Sequence, residues 1–184
     1  MINQPPIQLQ AGDVLLFRRK QSVSAIPRLI AWIQGNEHVH VAVVVQADPR
    51  PLVAEADTGY GTRITLYELS ALLERPCIAR SGVLVNKEKL MDAAYQSNNK
   101  KYAYEKIFDA CINHLLGRML GFFNHSYKYR TWFAKNRKNN RFICSTLVSY
   151  LLSQASHLEY NPCAEPDDFT TGQWQVLVHE DDND

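Results

Sequence analysis

Three side chains in this sequence could together cleave an acyl bond: Cys144, His40 and Glu55. A cysteine nucleophile acts as the thiolate and needs a base within hydrogen-bond reach; that base works best when a third group fixes its tautomer and steadies its positive charge. Cys144 lies in RFICSTLVSYLLSQ (141–154), where Leu147, Val148, Leu151 and Leu152 recur at helical spacing. The thiol is therefore expected in the first turn of a helix. Unpaired backbone N–H groups and the positive end of the helix dipole favour a thiolate there, and the N–H of Cys144 itself is one donor for an oxyanion. The competing reading makes Cys144 a small buried hydrophobe, the usual fate of a lone cysteine in an apolar segment.

The base and its partner come from two consecutive strand signals. EHVHVAVVV (37–45) is dense in β-branched residues and places His38 and His40 on one face at the strand's mouth, with Val39, Val41, Val43 and Val45 on the other. Taken alone, both histidines could equally be edge residues without chemical duty. LVAEA (52–56) follows after Pro49 and Pro51 and reads as an antiparallel neighbour. A carboxylate amid its apolar residues is costly to bury without a hydrogen-bond partner, and an imidazole on the adjacent strand is the natural one. The alternative is an outward-facing charge on an edge strand.

The remaining elements must hold these three together. VLLF (14–17), after Gly12 and Asp13, reads as a buried strand, and Pro27 opens a short helix with Leu29, Ile30 and Ile33 on its apolar face up to Gly35. DTGYG (57–61) is a glycine turn without the lysine or spacing of a phosphate loop. Beyond it the pattern gives a short strand at 62–66, helical turns at 67–73, a strand at 77–85 and a helix at 87–96. Tyr102 and Tyr104 introduce a long apolar helical pattern from 105 to about 123, and residues 175–178 read as a last strand. Core packing is the preferred use of the long helix over a place on a membrane surface, because Asp109, Asn113, His114 and Arg118 do not make the basic face of an interfacial helix.

The chain of 184 residues, with 20 basic and 19 acidic side chains and 46% apolar content, suits one globular domain and names no partner by bulk charge. Its segments are an arm (1–11), an apolar-then-basic insert (105–141) and an acidic tail (179–184). The basic run 128–141, interleaved with Tyr129, Trp132 and Phe133, reads as a solvated loop, with Lys138 and Arg141 as candidate rim residues for an anionic substrate and nucleic acid not expected. MINQPPIQLQAGD lacks the charged region and apolar core of a signal peptide, so the expected location is the cytoplasm, with export by another route left open. Cys77, Cys111, Cys144 and Cys163 are too widely spaced to argue for disulfides without a secretion signal, and no spacing suggests a metal site.

The order GDVLLF (12–17), IAWIQGNEHVHVAVVV (30–45), VAEADTGYG (53–61), KYAYEKI (101–107), RFICSTLVSYLL (141–152) and AEPDDF (164–169) resembles the circularly permuted branch of the NlpC/P60 papain-like superfamily, nearest the YiiX/YebB-like cysteine hydrolases. The resemblance implies an α+β permuted papain-like fold, an antiparallel barrel-like sheet packed against helices. It implies Cys144 as nucleophile, His40 as base and Glu55 as the third residue, with His38, Tyr102 and Tyr104 at most lining the pocket. It also implies a hydrolase that uses no cofactor and no metal and cleaves an amide bond, cell-wall peptides being the first choice of substrate. The alternatives are a lipid acyl hydrolase or acyltransferase of the lecithin retinol acyltransferase-like type, and a non-catalytic module on the same scaffold that contacts membrane or acidic polymer. The insert between Tyr104 and Arg141 departs from the family pattern and leaves the substrate open, as the residues leave the oligomeric state.

Overall fold

Five consecutive buried residues, Val41 to Val45, make strand β2 (His38–Gln46) the centre of the molecule. The structure is a computed structural model that describes residues 8–18, 36–67, 77–105, 107, 141–162 and 164–178. Around β2 the other elements are β1 (Val14–Arg18), β3 (Leu52–Asp57), β4 (Gly61–Leu66), β5 (Cys77–Ser81), helix α1 (Lys87–Ser97), helix α2 (Cys144–Ala155), a 3-10 turn (Pro166–Thr170) and β6 (Trp174–Val178). The strands form one antiparallel sheet in the order β4-β3-β2-β1-β5-β6.

Both faces of the sheet are covered, which is why β2 reads as an unbroken apolar run. On one face Val14, Leu16, Val41, Val43, Val45, Ala54, Ala56, Cys77 and Ala79 meet Leu90, Ala93 and Ala94 of α1 and Leu147, Val148, Leu151 and Leu152 of α2. A smaller cluster, Leu15, Ala42, Val44, Val53 and Ile78 with Leu9, Phe17 and Tyr67, fills the other. The alternation expected for β2 holds for Val41, Val43 and Val45, all in the helix-side cluster.

The α+β class stands, but the barrel-like sheet does not: β4 and β6 occupy opposite ends of the sheet order and the sheet is open. The strand expected over 77–85 stops at Ser81, where Ser81 Oγ accepts the Val83 N–H and turns the chain at Gly82. Helix α1 starts where Asn86 Oδ1 accepts the Lys89 N–H, an N-cap that satisfies one free donor of its first turn. Gly61 begins β4 with φ +76°, and a Cβ there would stand 2.2 Å from the Lys100 carbonyl oxygen, so the turn needs a glycine. That close approach brings residues 99–101 alongside β4, where Lys100 O accepts the Thr62 N–H at 2.9 Å.

The helix after Pro27, most of the helical turns at 67–73, the long apolar helix apart from Glu105 and Ile107, Lys138 and the rest of the basic run before Arg141, Cys111, Cys163 and the acidic tail lie outside the described residues. Among the described residues no helix is long and apolar enough to cross a membrane.

Candidate active site

Cys144 is the first residue of α2 and is 7% exposed. The preceding Ile143 is extended and has no side-chain oxygen to cap the helix; instead Thr146 Oγ1 accepts the Ile143 N–H at 3.2 Å. The Ser145 hydroxyl donates to the Ala164 carbonyl, which ties the helix start to the segment before the 3-10 turn. The sulfur faces the mouth of β2. There β3 pairs only from Ala42 onward, and Val41 packs in the same buried cluster as Cys144.

His40 is the side chain beside that sulfur. Its Nε2 lies 3.0 Å from Glu55 Oε2, which leaves Nδ1 as the nitrogen able to serve the thiol. The cross-strand partner of Glu55 on β2 is Ala42, and this small residue leaves room for the diagonal contact from Glu55 to His40. Phe17, opposite His40 on β1, packs its ring 5.4 Å from the imidazole and limits its rotation. Glu55 is 2% exposed and its two oxygens are divided between partners. Oε2 faces His40, while Oε1 takes Arg63 Nε at 2.9 Å and Arg63 Nη2 at 2.8 Å. The Tyr67 hydroxyl stands 3.3 Å from Oε2 and 3.4 Å from Oε1.

The electrostatics follow from these contacts. Burial resists ionisation of Cys144, but the hydrogen bond and charge of His40 outweigh it, helped by the Val41 and Ser145 N–H groups, and the thiol is held below its ordinary range. Burial likewise resists a positive His40, yet Cys144 and Glu55 outweigh it and push the imidazole up to about 10. Burial alone would raise Glu55; His40 and Arg63 reverse this and keep it below the usual carboxylate range. All three shifts run the same way, toward a thiolate beside an imidazolium that is backed by a carboxylate and a guanidinium.

No protein-family model matches the chain, and no curated protein matches it. The geometry of the chain's own residues must carry the functional reading.

Of the candidate wall residues, His38 is 3% exposed and committed elsewhere. Its Nδ1 lies 2.6 Å from Asp167 Oδ1, and the same carboxylate accepts the His38 N–H at 3.1 Å and the Glu37 N–H at 2.8 Å. These bonds hold Asp167 below its ordinary range against the opposing effect of burial. His38 thus clasps the 3-10 turn to the mouth of β2, two residues before His40. Tyr102 is half-buried, bridges to Phe142 and lies close enough to Cys144 for the thiolate, after burial, to hold its phenol strongly in the protonated form. Tyr104 packs at a tilt against Tyr102 with ring centroids 5.0 Å apart and donates its hydroxyl to the Thr58 carbonyl. Arg141 is 3.6 Å from Glu105, so this rim candidate already has an acidic neighbour.

Arg63, Tyr67 and Asp167 were not among the residues singled out in the sequence. Arg63 had a usable signal: the glycine turn at 57–61 fixes the hairpin register, and counting outward sets Arg63 opposite Glu55. Asp167 sits in AEPDDF, but nothing local in the sequence ties it to His38.

Proposed function

We propose that the protein is a cysteine hydrolase acting on an amide bond, with cell-wall-type peptides as the first substrate class. One observation carries the reading: a helix-start cysteine faces an imidazole whose far nitrogen is bound by a buried, ionised carboxylate. The Cys144 thiolate attacks the carbonyl carbon, and the oxyanion that develops takes the Cys144 backbone N–H. As the tetrahedral adduct collapses to a thioester, imidazolium His40 gives its proton to the departing amine. His40 then removes a proton from water, hydroxide adds to the thioester, and the acid leaves while the thiolate–imidazolium pair is restored. Glu55 orients the imidazole throughout and keeps its proton off itself.

The test is the pH dependence of Cys144 alkylation by iodoacetamide in the wild type and in His40→Ala, with the labelled cysteine located by mass spectrometry. Rapid reaction well below the free-thiol range of about 8.5, with the midpoint raised in His40→Ala, supports the ion pair. Reaction no faster than that of Cys77, whose thiol burial pushes up, sinks it. Turnover of muramyl-peptide amides but not phospholipid vesicles supports the cell-wall class, and the reverse pattern assigns the protein to lipid acyl chemistry.

A further inference from the structure

Arg63 occupies a position that the hydrolase mechanism above does not use. It sits directly opposite Glu55 on β4 and closes on a single oxygen, Oε1, with both Nε and Nη2. The guanidinium is itself immobilised from the other side. Asp57 Oδ2 stands 3.4 Å from Nη2, and the Tyr60 ring lies under the guanidinium carbon at 4.6 Å. Arg63 is a third exposed, at 34%, while Glu55 is 3% exposed at the side chain, so the contact runs from the protein surface to the buried carboxylate. A carboxyl group with one oxygen on a guanidinium cannot turn that oxygen to the imidazole without giving up a charge-assisted pair.

We infer that Arg63 is a positioning residue of the catalytic array, which pins one oxygen of Glu55 so that the other is presented to His40 as an anion. The inference rests on the hydrolase reading of Cys144, His40 and Glu55. Arg63 acts through Glu55 and touches neither the thiol nor the reacting carbonyl. With the guanidinium gone, a carboxyl this buried holds a proton to higher pH, and a protonated Glu55 no longer balances the imidazolium that accompanies the thiolate. Tyr67, whose hydroxyl approaches both oxygens, supports the same orientation without supplying charge. A cross-strand ion pair that served only the sheet would also join Glu55 to Arg63, but it would leave the ionisation of Cys144 unaffected.

The experiment is the acid limb of Cys144 alkylation by iodoacetamide in the wild type, Arg63→Gln, Arg63→Lys, Glu55→Gln, the Glu55→Gln/Arg63→Gln double variant and His40→Ala, with thermal unfolding recorded for each. The expected result is a limb displaced upward by about one pH unit in Arg63→Gln, roughly tenfold slower alkylation at pH values below it. Arg63→Lys, which restores the charge but not the planar fork, falls between the two. In the Glu55→Gln background Arg63→Gln adds no further displacement, as expected of a residue acting only through Glu55. A wild-type limb in folded Arg63→Gln overturns the inference, as does a further displacement of the same size when Arg63→Gln is added to Glu55→Gln. If Arg63→Gln does not fold, a wild-type limb in Arg63→Lys overturns it, and an upward displacement there supports it. The His40→Ala arm separates this from the reading beneath it: an unmoved midpoint there removes the hydrolase itself, whereas a raised midpoint beside unresponsive Arg63 variants removes only the role of Arg63.

Discussion

Glu55 shows how one buried side chain can hold two charged partners at once. Replacing it by Gln keeps the shape but removes the charge that His40 and Arg63 share, and one amide hydrogen must then face one of these donors. The expected cost is on the order of 2 kcal/mol, measured by urea unfolding, together with slower alkylation of Cys144. A pH prediction follows from His40. Its folded value is raised from 6.5 to about 10, so the stabilisation it contributes is complete below 6.5 and is lost as pH rises through about 10. The rate of amide turnover is expected to fall on that alkaline limb, because the neutral imidazole has no proton for the leaving amine. These residues were legible in the sequence for unequal reasons. Cys144 was marked by helical periodicity and Glu55 by its misfit in an apolar strand. The choice of His40 over His38 came from a resemblance, because two histidines on one strand face look alike until their carboxylates are known. Asp167 is what separates them, more than half the chain away from His38.

Elements, more than single contacts, decide where the site sits. The clasp from Asp167 to the N–H groups of Glu37 and His38 fixes the mouth of β2 two residues before His40. Asp167→Asn turns one acceptor into a donor facing a donor, with an expected loss of about 1–3 kcal/mol in thermal or urea unfolding. The carboxylate's folded value is lowered from 3.8, so its contribution is present above that pH and lost as pH falls through the folded value. Asp167→Asn is therefore expected to show a shallower loss of stability than the wild type in this acid range. Gly61→Ala tests the other flank. The added methyl meets the Lys100 carbonyl and the backbone is left-handed there, so destabilisation of about 1–3 kcal/mol is expected, with slower turnover if Tyr102 is displaced along with residue 100. The strands flanking the site were readable from β-branched runs and turn residues, and α2 from its apolar spacing. What escaped was the length of β5, since Val83 and Val85 continue the apolar pattern after Ser81 has already turned the chain.

At the scale of the whole molecule, the sheet is a divider with α1 and α2 on one face and a smaller apolar cluster on the other. Leu151 is fully buried in the helix-side cluster, and Leu151→Ala is expected to cost about 2–5 kcal/mol in urea unfolding and to loosen the helix that carries the thiol. The α+β class was legible because strand and helix periodicities are local. Whether a sheet closes depends on which strands become its edges, and β6 joins beside β5 from the far end of the sequence. The same long reach governs Cys144, which packs in one buried cluster with Val41 from more than half the chain away. A contact that spans so much sequence costs loop entropy before it returns anything, and it belongs to the late stage of folding. In a newly made or refolding chain the cysteine therefore stays an ordinary thiol until β2 and α2 have docked, and the sudden onset of its reactivity can serve as a clock for the completion of the native structure.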